Sequence, residues 1–125
     1  MSQKLILISV FMLASVLGFS QKNKGFERLV VADFKEKVNT TNKKIILDVR
    51  TPQEYKKGHL KKAKLINYYD ADFLEKLNEL DKAKTVLVYC ASGMRSQRAA
   101  KKLAKLGFSE VFEMKGGYNA WIRKY

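Results

Sequence analysis

Apolar residues fall along the chain in blocks that switch between strand-like and helix-like spacing. Ile45-Ile46-Leu47-Asp48-Val49 is almost wholly apolar, as a strand covered on both faces must be. Thr85-Val86-Leu87-Val88-Tyr89 is rich in β-branched residues and is the strongest strand signal in the chain. Val111-Phe112-Glu113-Met114 reads as a last strand, Lys64-Leu65-Ile66-Asn67 as a weak one and Leu29-Val30-Val31 as a short entry strand. Between them, Phe73, Leu74, Leu77 and Leu80 have helical spacing, and Ala99, Ala100, Leu103 and Leu106 form one face of a helix that stops at Gly107. Asp33 and Glu36 are spaced as a capping box. Thr51-Pro52-Gln53-Glu54 is a second helix entry, with Thr51 as cap, Pro52 at the first helical position and Gly58 at the far end. Gly116-Gly117 turns into a terminal segment that carries Trp121.

Strands alternating with helices predict βαβ units: an α/β fold with a parallel sheet and helices on both faces. In such sheets ligands sit beyond the carboxyl ends of the strands. Cys90 lies at that end of the best strand, just before a helix.

The first residues follow another pattern. Lys4 is a short basic region, Leu5–Leu17 is an apolar run without charge, and Gly18-Phe19-Ser20 places small residues where a signal peptidase reads. The run is shorter than the roughly 20 residues of a spanning helix. The expected organisation is a signal peptide over 1–20, a polar linker over 21–25 and one domain over 26–125, in an exported protein that is periplasmic or secreted. No cysteine follows the apolar run, which argues against a lipoprotein.

Export changes what the single cysteine means. Secreted domains often use disulfides, but one cysteine forms no internal bridge. Cys90 is either a buried core residue or a reactive thiol. The formal net charge is +13, and removing Lys4 with the leader leaves +12. Such a surface favours anions. Its lysines are scattered in pairs (Lys43-Lys44, Lys56-Lys57, Lys61-Lys62, Lys101-Lys102) and are not gathered with aromatics. We read it as a solvated surface that steers small anions, with no nucleic-acid partner and no stable membrane insertion after processing.

The surroundings of Cys90 favour the reactive reading. A thiolate is the nucleophilic form, and a free cysteine has a pKa of about 8.5. Ala91-Ser92-Gly93-Met94-Arg95 leads into a helix whose first amides lack backbone partners and favour an anion. Gly93 lets the backbone curl so that its N–H groups point inward. Arg95 adds a fixed positive fork. His59 is the lone histidine and is read as a turn residue, so no metal site is expected.

Cys90-Ala91-Ser92-Gly93-Met94-Arg95-Ser96 resembles the Cys-x-x-Gly-x-Arg-Ser loop of single-domain rhodaneses. Asp48-Val49-Arg50, followed by Glu54-Tyr55, resembles the family's Asp-Val-Arg segment. Gly58-His59-Leu60 with Ala63 resembles its Gly-His-Ile-Pro-Gly-Ala turn, with Lys61-Lys62 replacing Pro-Gly. Gly107-Phe108, Gly116-Gly117 and Trp121 resemble its C-terminal pattern. The resemblance implies a three-layer fold with a five-stranded parallel sheet. It also implies a Cys90 thiolate that takes the sulfane sulfur of thiosulfate or a similar small anionic donor. The resulting persulfide passes its outer sulfur to cyanide, a thiol or a protein acceptor, with no metal or organic cofactor. By the same analogy Ala91, Ser92, Gly93, Met94, Arg95 and Ser96 cradle the substrate, and Arg95 holds the anionic donor. Asp48 and Arg50 follow a strand end, so Arg50 is a further candidate donor contact; the competing role is an ion pair that fixes the loop. Glu54 is explained by the capping box.

Three rival readings remain at this level. Phosphatases or arsenate reductases share the fold, but cell-cycle phosphatases place five residues between cysteine and arginine, where Cys90 and Arg95 enclose four. A non-catalytic persulfide carrier would use the same loop. A lysine-rich surface for anionic lipid predicts binding that salt abolishes.

Overall fold

A computed structural model describes residues 25–125. The expected signal peptide and nearly all of the linker lie outside them. Five strands form one parallel sheet: β1 (Glu27–Leu29), β2 (Lys44–Asp48), β3 (Lys64–Leu65), β4 (Thr85–Tyr89) and β5 (Val111–Met114), in the order β1-β5-β4-β2-β3. Five helices follow the strands in turn: α1 (Val31–Thr40), α2 (Pro52–Lys56), α3 (Phe73–Asn78), α4 (Met94–Lys105) and α5 (Gly117–Lys124). No helix among the described residues is long and apolar enough to cross a membrane.

Alternation along the strands divides the core in two. Val86, Val88 and Cys90 face Phe73 and Leu77 of α3 and Ala99, Ala100 and Leu103 of α4. Leu87 and Tyr89 face Val31 and Phe34 of α1 and Tyr118 and Trp121 of α5. Val86, Leu87, Val88 and Tyr89 are all fully buried, which explains the unbroken apolar run of β4. At about 1.5–3 kcal/mol for each large apolar side chain removed from water, this strand anchors both layers.

Several boundaries differ from the sequence expectation. β1 ends at Leu29, and Val31 already belongs to α1. The cap position is Val30, without a side-chain cap, and the Asp33–Glu36 box does not form. Starting the helix at Val31 places Val31 and Phe34 on one face, where both are buried, and that burial outweighs a surface cap. Asp33 instead sits in the first turn, beside open amides that favour an anion. Leu74 is exposed while Phe73 and Leu77, one turn apart, are buried; Leu80 is buried beyond the helix end. In the weak strand only Lys64 and Leu65 pair with β2.

The capping box of α2 is present: the Thr51 hydroxyl accepts from Glu54 N at 3.2 Å, and Glu54 Oε1 accepts from Thr51 N at 3.0 Å. In the turn over 58–63, Lys62 has φ +66°, the left-handed conformation, where the family's turn carries glycine. The lysine therefore accepts a local cost of about 1–2 kcal/mol. Surrounding hydrogen bonds hold the turn. Arg50 Nη2 donates to Gly58 O at 2.7 Å, Leu60 N to the Tyr89 hydroxyl at 3.1 Å, and the Tyr55 hydroxyl to Ala63 O at 2.7 Å.

Candidate active site

Cys90 directly follows β4 and is 1% exposed. The chain then crosses Ala91 and Ser92 and reaches Gly93, whose φ of +112° starts α4. Gly93 N donates to Cys90 Sγ at 3.0 Å. The φ strains any other residue, and there is little room: a Cβ at Gly93 would lie 3.3 Å from Arg28 Nη2 and 3.6 Å from Glu113 Oε2. The first amides of α4, from Met94 to Ser96, are those a helix leaves without internal partners.

The N-terminus of α5 fixes the other side of the loop. Tyr118 N donates to Cys90 O at 2.8 Å and Asn119 N to Ala91 O at 3.0 Å. In a trans peptide the N–H points opposite to the C=O, so the Ala91 and Ser92 amides point away from α5. Gly117 permits the approach, since a Cβ there would stand 2.5 Å from both carbonyl oxygens.

Arg95 is half-buried and its fork is engaged. Nη1 donates to Glu54 Oε1 at 2.8 Å and Nη2 to Glu54 Oε2 at 3.0 Å, which ties α4 to α2. Glu54 is thus both a helix cap and the partner that orients Arg95, a second role its capping position conceals. The Arg95 hydrogen bond holds the Glu54 carboxyl at about 2, below its ordinary 4.5, with Thr51 lowering it further against partial burial. A carboxylate depressed in the folded state stabilises it fully above the unfolded value. The pair's contribution is therefore present above about 4.5 and lost as the pH falls toward about 2. Glu54→Gln is expected to lower the urea midpoint at neutral pH and to flatten the acid limb of stability over that window; parallel acid limbs in the two proteins would contradict this.

Arg50 does not reach the mouth. It is 4% exposed, and its Nε and Nη2 hold Asp48 at 2.7–3.1 Å. Asp48 also accepts from the Arg50 amide at 2.9 Å and from the Tyr89 hydroxyl at 2.7 Å. Asp48, Arg50 and Tyr89 lie on the face of the sheet opposite Cys90, because alternation sends residues 48 and 89 one way and 90 the other. Of the two roles the sequence leaves open for Arg50, the structure forms the ion pair, which is buried and organises the turn over 58–63. Burial, and then the hydrogen bond to Asp48, push the Tyr89 hydroxyl far above its ordinary value. His59 stacks on Tyr55 with ring centroids 3.6 Å apart, in the same turn.

Ser96, an expected member of the cradle, stands beside Cys90, and behind it stands Glu113, which is absent from the sequence expectation. Ser96, fully buried, places Oγ 3.3 Å from Cys90 Sγ and donates to Glu113 Oε2 at 2.6 Å. Glu113, also fully buried, accepts from Arg28 Nε at 2.7 Å. A carboxylate in the middle of an otherwise apolar strand was the available signal.

The arrangement suits covalent chemistry at sulfur. It offers a thiol at the floor of a short loop, an amide already aimed at that thiol, and a helix N-terminus above it.

The comparisons with known proteins agree with this geometry. A family model described as Rhodanese-like domain matches residues 30–124. The chain is 29% identical over 117 residues to the uncharacterized protein YqhL of Bacillus subtilis, covering 94% of this chain and 89% of that one. It is 32% identical over 81 residues to the thiosulfate sulfurtransferase GlpE of Pseudoalteromonas translucida, covering 65% and 75%. A rhodanese-related protein from Thermoplasma volcanium superposes with a TM-score of 0.69 at 29% identity, over 79% of this chain and 93% of that one. The family match spans the central strands, the Cys90 loop and both helices that frame it, and the protein is accordingly a member of the rhodanese-like domain family.

Proposed function

We propose that this protein is a sulfurtransferase in which Cys90 carries the transferred sulfur as a persulfide. The Cys90 thiolate attacks the sulfane sulfur of thiosulfate or a similar donor. A sulfur–sulfur bond forms at Cys90, the bond between sulfane sulfur and sulfite breaks, and sulfite leaves with the electron pair. Cyanide or a thiolate then attacks the outer sulfur, and the Cys90 thiolate is regenerated. Splitting the transfer in this way replaces one difficult step with two easier ones.

The observation that carries this reading is the 3.0 Å hydrogen bond from Gly93 N to Cys90 Sγ inside so short a loop. A donor at that position stabilises the thiolate and the persulfide anion alike. The amides from Ala91 to Ser96 form the remainder of the cradle, and Arg95 supplies positive charge at its rim. Support also comes from relatives named thiosulfate sulfurtransferase. The loop has one residue fewer than that of the cell-cycle phosphatases, and the Arg95 fork is paired with Glu54, both of which favour sulfur over a tetrahedral phosphate.

Turnover tests this reading. The reduced protein, given thiosulfate and cyanide, is expected to release thiocyanate catalytically and to leave aryl phosphates intact. Aryl phosphate hydrolysis without thiocyanate release would overturn the assignment, and a single stoichiometric sulfur transfer would mark a carrier.

A further inference from the structure

Behind Cys90 lies a buried carboxylate that the chemistry above does not use. The fully buried ionisable side chains of the described residues include Asp48 and Glu113. Asp48 is neutralised by an Arg50 that is itself buried. Glu113 is paired less completely, because the side chain of Arg28, opposite it in the sheet register, is 31% exposed. Its second oxygen faces inward, to Ser96 and through Ser96 to Cys90.

Counting protons shows what this line of groups can do. The Ser96 hydroxyl has one hydrogen and two neighbours that can accept it. Its 2.6 Å contact with Glu113 Oε2 has the length of a charge-assisted hydrogen bond, so that hydrogen points to the carboxylate. Ser96 Oγ is then left as an acceptor toward Cys90, which satisfies a protonated thiol. Moving both hydrogens one place along the line gives a second fully satisfied arrangement: a thiolate accepting from Ser96, and a neutral Glu113 donating to Ser96. With both Cys90 and Glu113 charged, the single Ser96 hydrogen serves only one of them, and the other keeps just its remaining donor, Gly93 N or Arg28 Nε.

We propose that Glu113 is the internal proton acceptor for Cys90, with Ser96 as the relay. The Cys90 S–H bond breaks as a Ser96 O–H bond forms; the original Ser96 O–H bond breaks as a Glu113 O–H bond forms. Nothing is oxidised or reduced, and no proton enters solvent. The proton rests on Glu113 while Cys90 is thiolate or persulfide, so each of the two arrangements holds one anion. Burial pushes the Glu113 carboxyl above its ordinary value, against the lowering by Ser96 and Arg28, which is the direction a proton acceptor needs. Use of this thiolate for sulfur transfer rests on the proposed function; the proton relay itself does not.

The groups facing Glu113 are Arg28 from β1 and Ser96 from α4, with Cys90 after β4 reached through Ser96. Arg95, also on α4, is turned to Glu54 of α2. A proton shared in this way would make Cys90 and Glu113 a coupled pair. The test follows the ultraviolet absorbance of the thiolate in the reduced full-length protein against pH, with Cys90→Ser subtracted as the tyrosine background. Wild type is expected to show two waves separated by a plateau. The first is release of one proton shared by the pair, and the second is formation of the second anion. Glu113→Gln and Ser96→Ala are each expected to lose the first wave and keep one. Ser96→Ala removes only a hydroxyl and retains the fold if the buried carboxamide of Glu113→Gln does not. A merely structural ion pair between Arg28 and Glu113 predicts one wave in every protein. One wave in wild type, or two waves surviving in both variants, would overturn the proposal. The titration needs no sulfur donor, so its outcome is independent of whether the protein transfers sulfur.

Discussion

Cys90→Ser is expected to abolish thiocyanate formation while leaving the fold intact. Loss of a covalent nucleophile removes a route, not a contact, and reductions on the order of 10⁴–10⁶ are the scale for such changes. Serine fits the space, because Cys90 is buried at the strand end and oxygen is smaller than sulfur. Its hydroxyl still accepts from Gly93 N in place of Sγ. It is a far weaker nucleophile toward sulfur, and the loop amides that stabilise a thiolate do not bring a serine hydroxyl near ionisation at neutral pH. The variant should unfold within about 1 kcal/mol of wild type and show no turnover above the buffer rate. Turnover retained within about tenfold would place the chemistry elsewhere.

Asp48→Ala carries the largest expected cost in stability. The substitution leaves Arg50 charged, 4% exposed and without its counter-ion, and removes the acceptor of the Tyr89 hydroxyl. Breaking a buried ion pair by removing one partner costs about 3–5 kcal/mol, a large part of the roughly 5–15 kcal/mol that holds a domain folded. The turn over 58–63 should loosen with it, since Arg50 and Tyr89 both hold that turn. Tyr89→Phe, which removes one hydroxyl, should cost less, about 1–3 kcal/mol. Asp48→Ala combined with Arg50→Leu should recover part of the loss, because no charge is then stranded. Urea unfolding midpoints of the three variants check this order. An Asp48→Ala protein within about 1 kcal/mol of wild type would show that the pair is not structural.

The sequence was most informative where local chemistry and tertiary position agree. β2 and β4 are legible because a strand covered on both faces must be apolar throughout. α2 is legible because Thr51, Pro52 and Glu54 lie within one turn. The Cys90 loop is legible because the residues that shape it are consecutive. β1 and the start of α1 are not, because Leu29-Val30-Val31 has strand-like residues whose pairing is set by a strand at the other end of the chain. The same distance conceals the polar partners. Glu113 meets Arg28 from 85 positions away, and Arg95 meets Glu54 from 41. The sequence leaves two roles open for Arg50 for a related reason. Its position after a strand end suggested the mouth, but the parity of β2 turns it to the other face of the sheet, where Asp48 and Tyr89 wait.

Sulfur transfer by this route requires that the sulfur reside on Cys90. The intact mass of the reduced protein, measured after incubation with thiosulfate, tests it most directly. A gain of one sulfur atom is expected, removed by cyanide and absent from Cys90→Ser. An unchanged mass in wild type, or the same gain in Cys90→Ser, would contradict it.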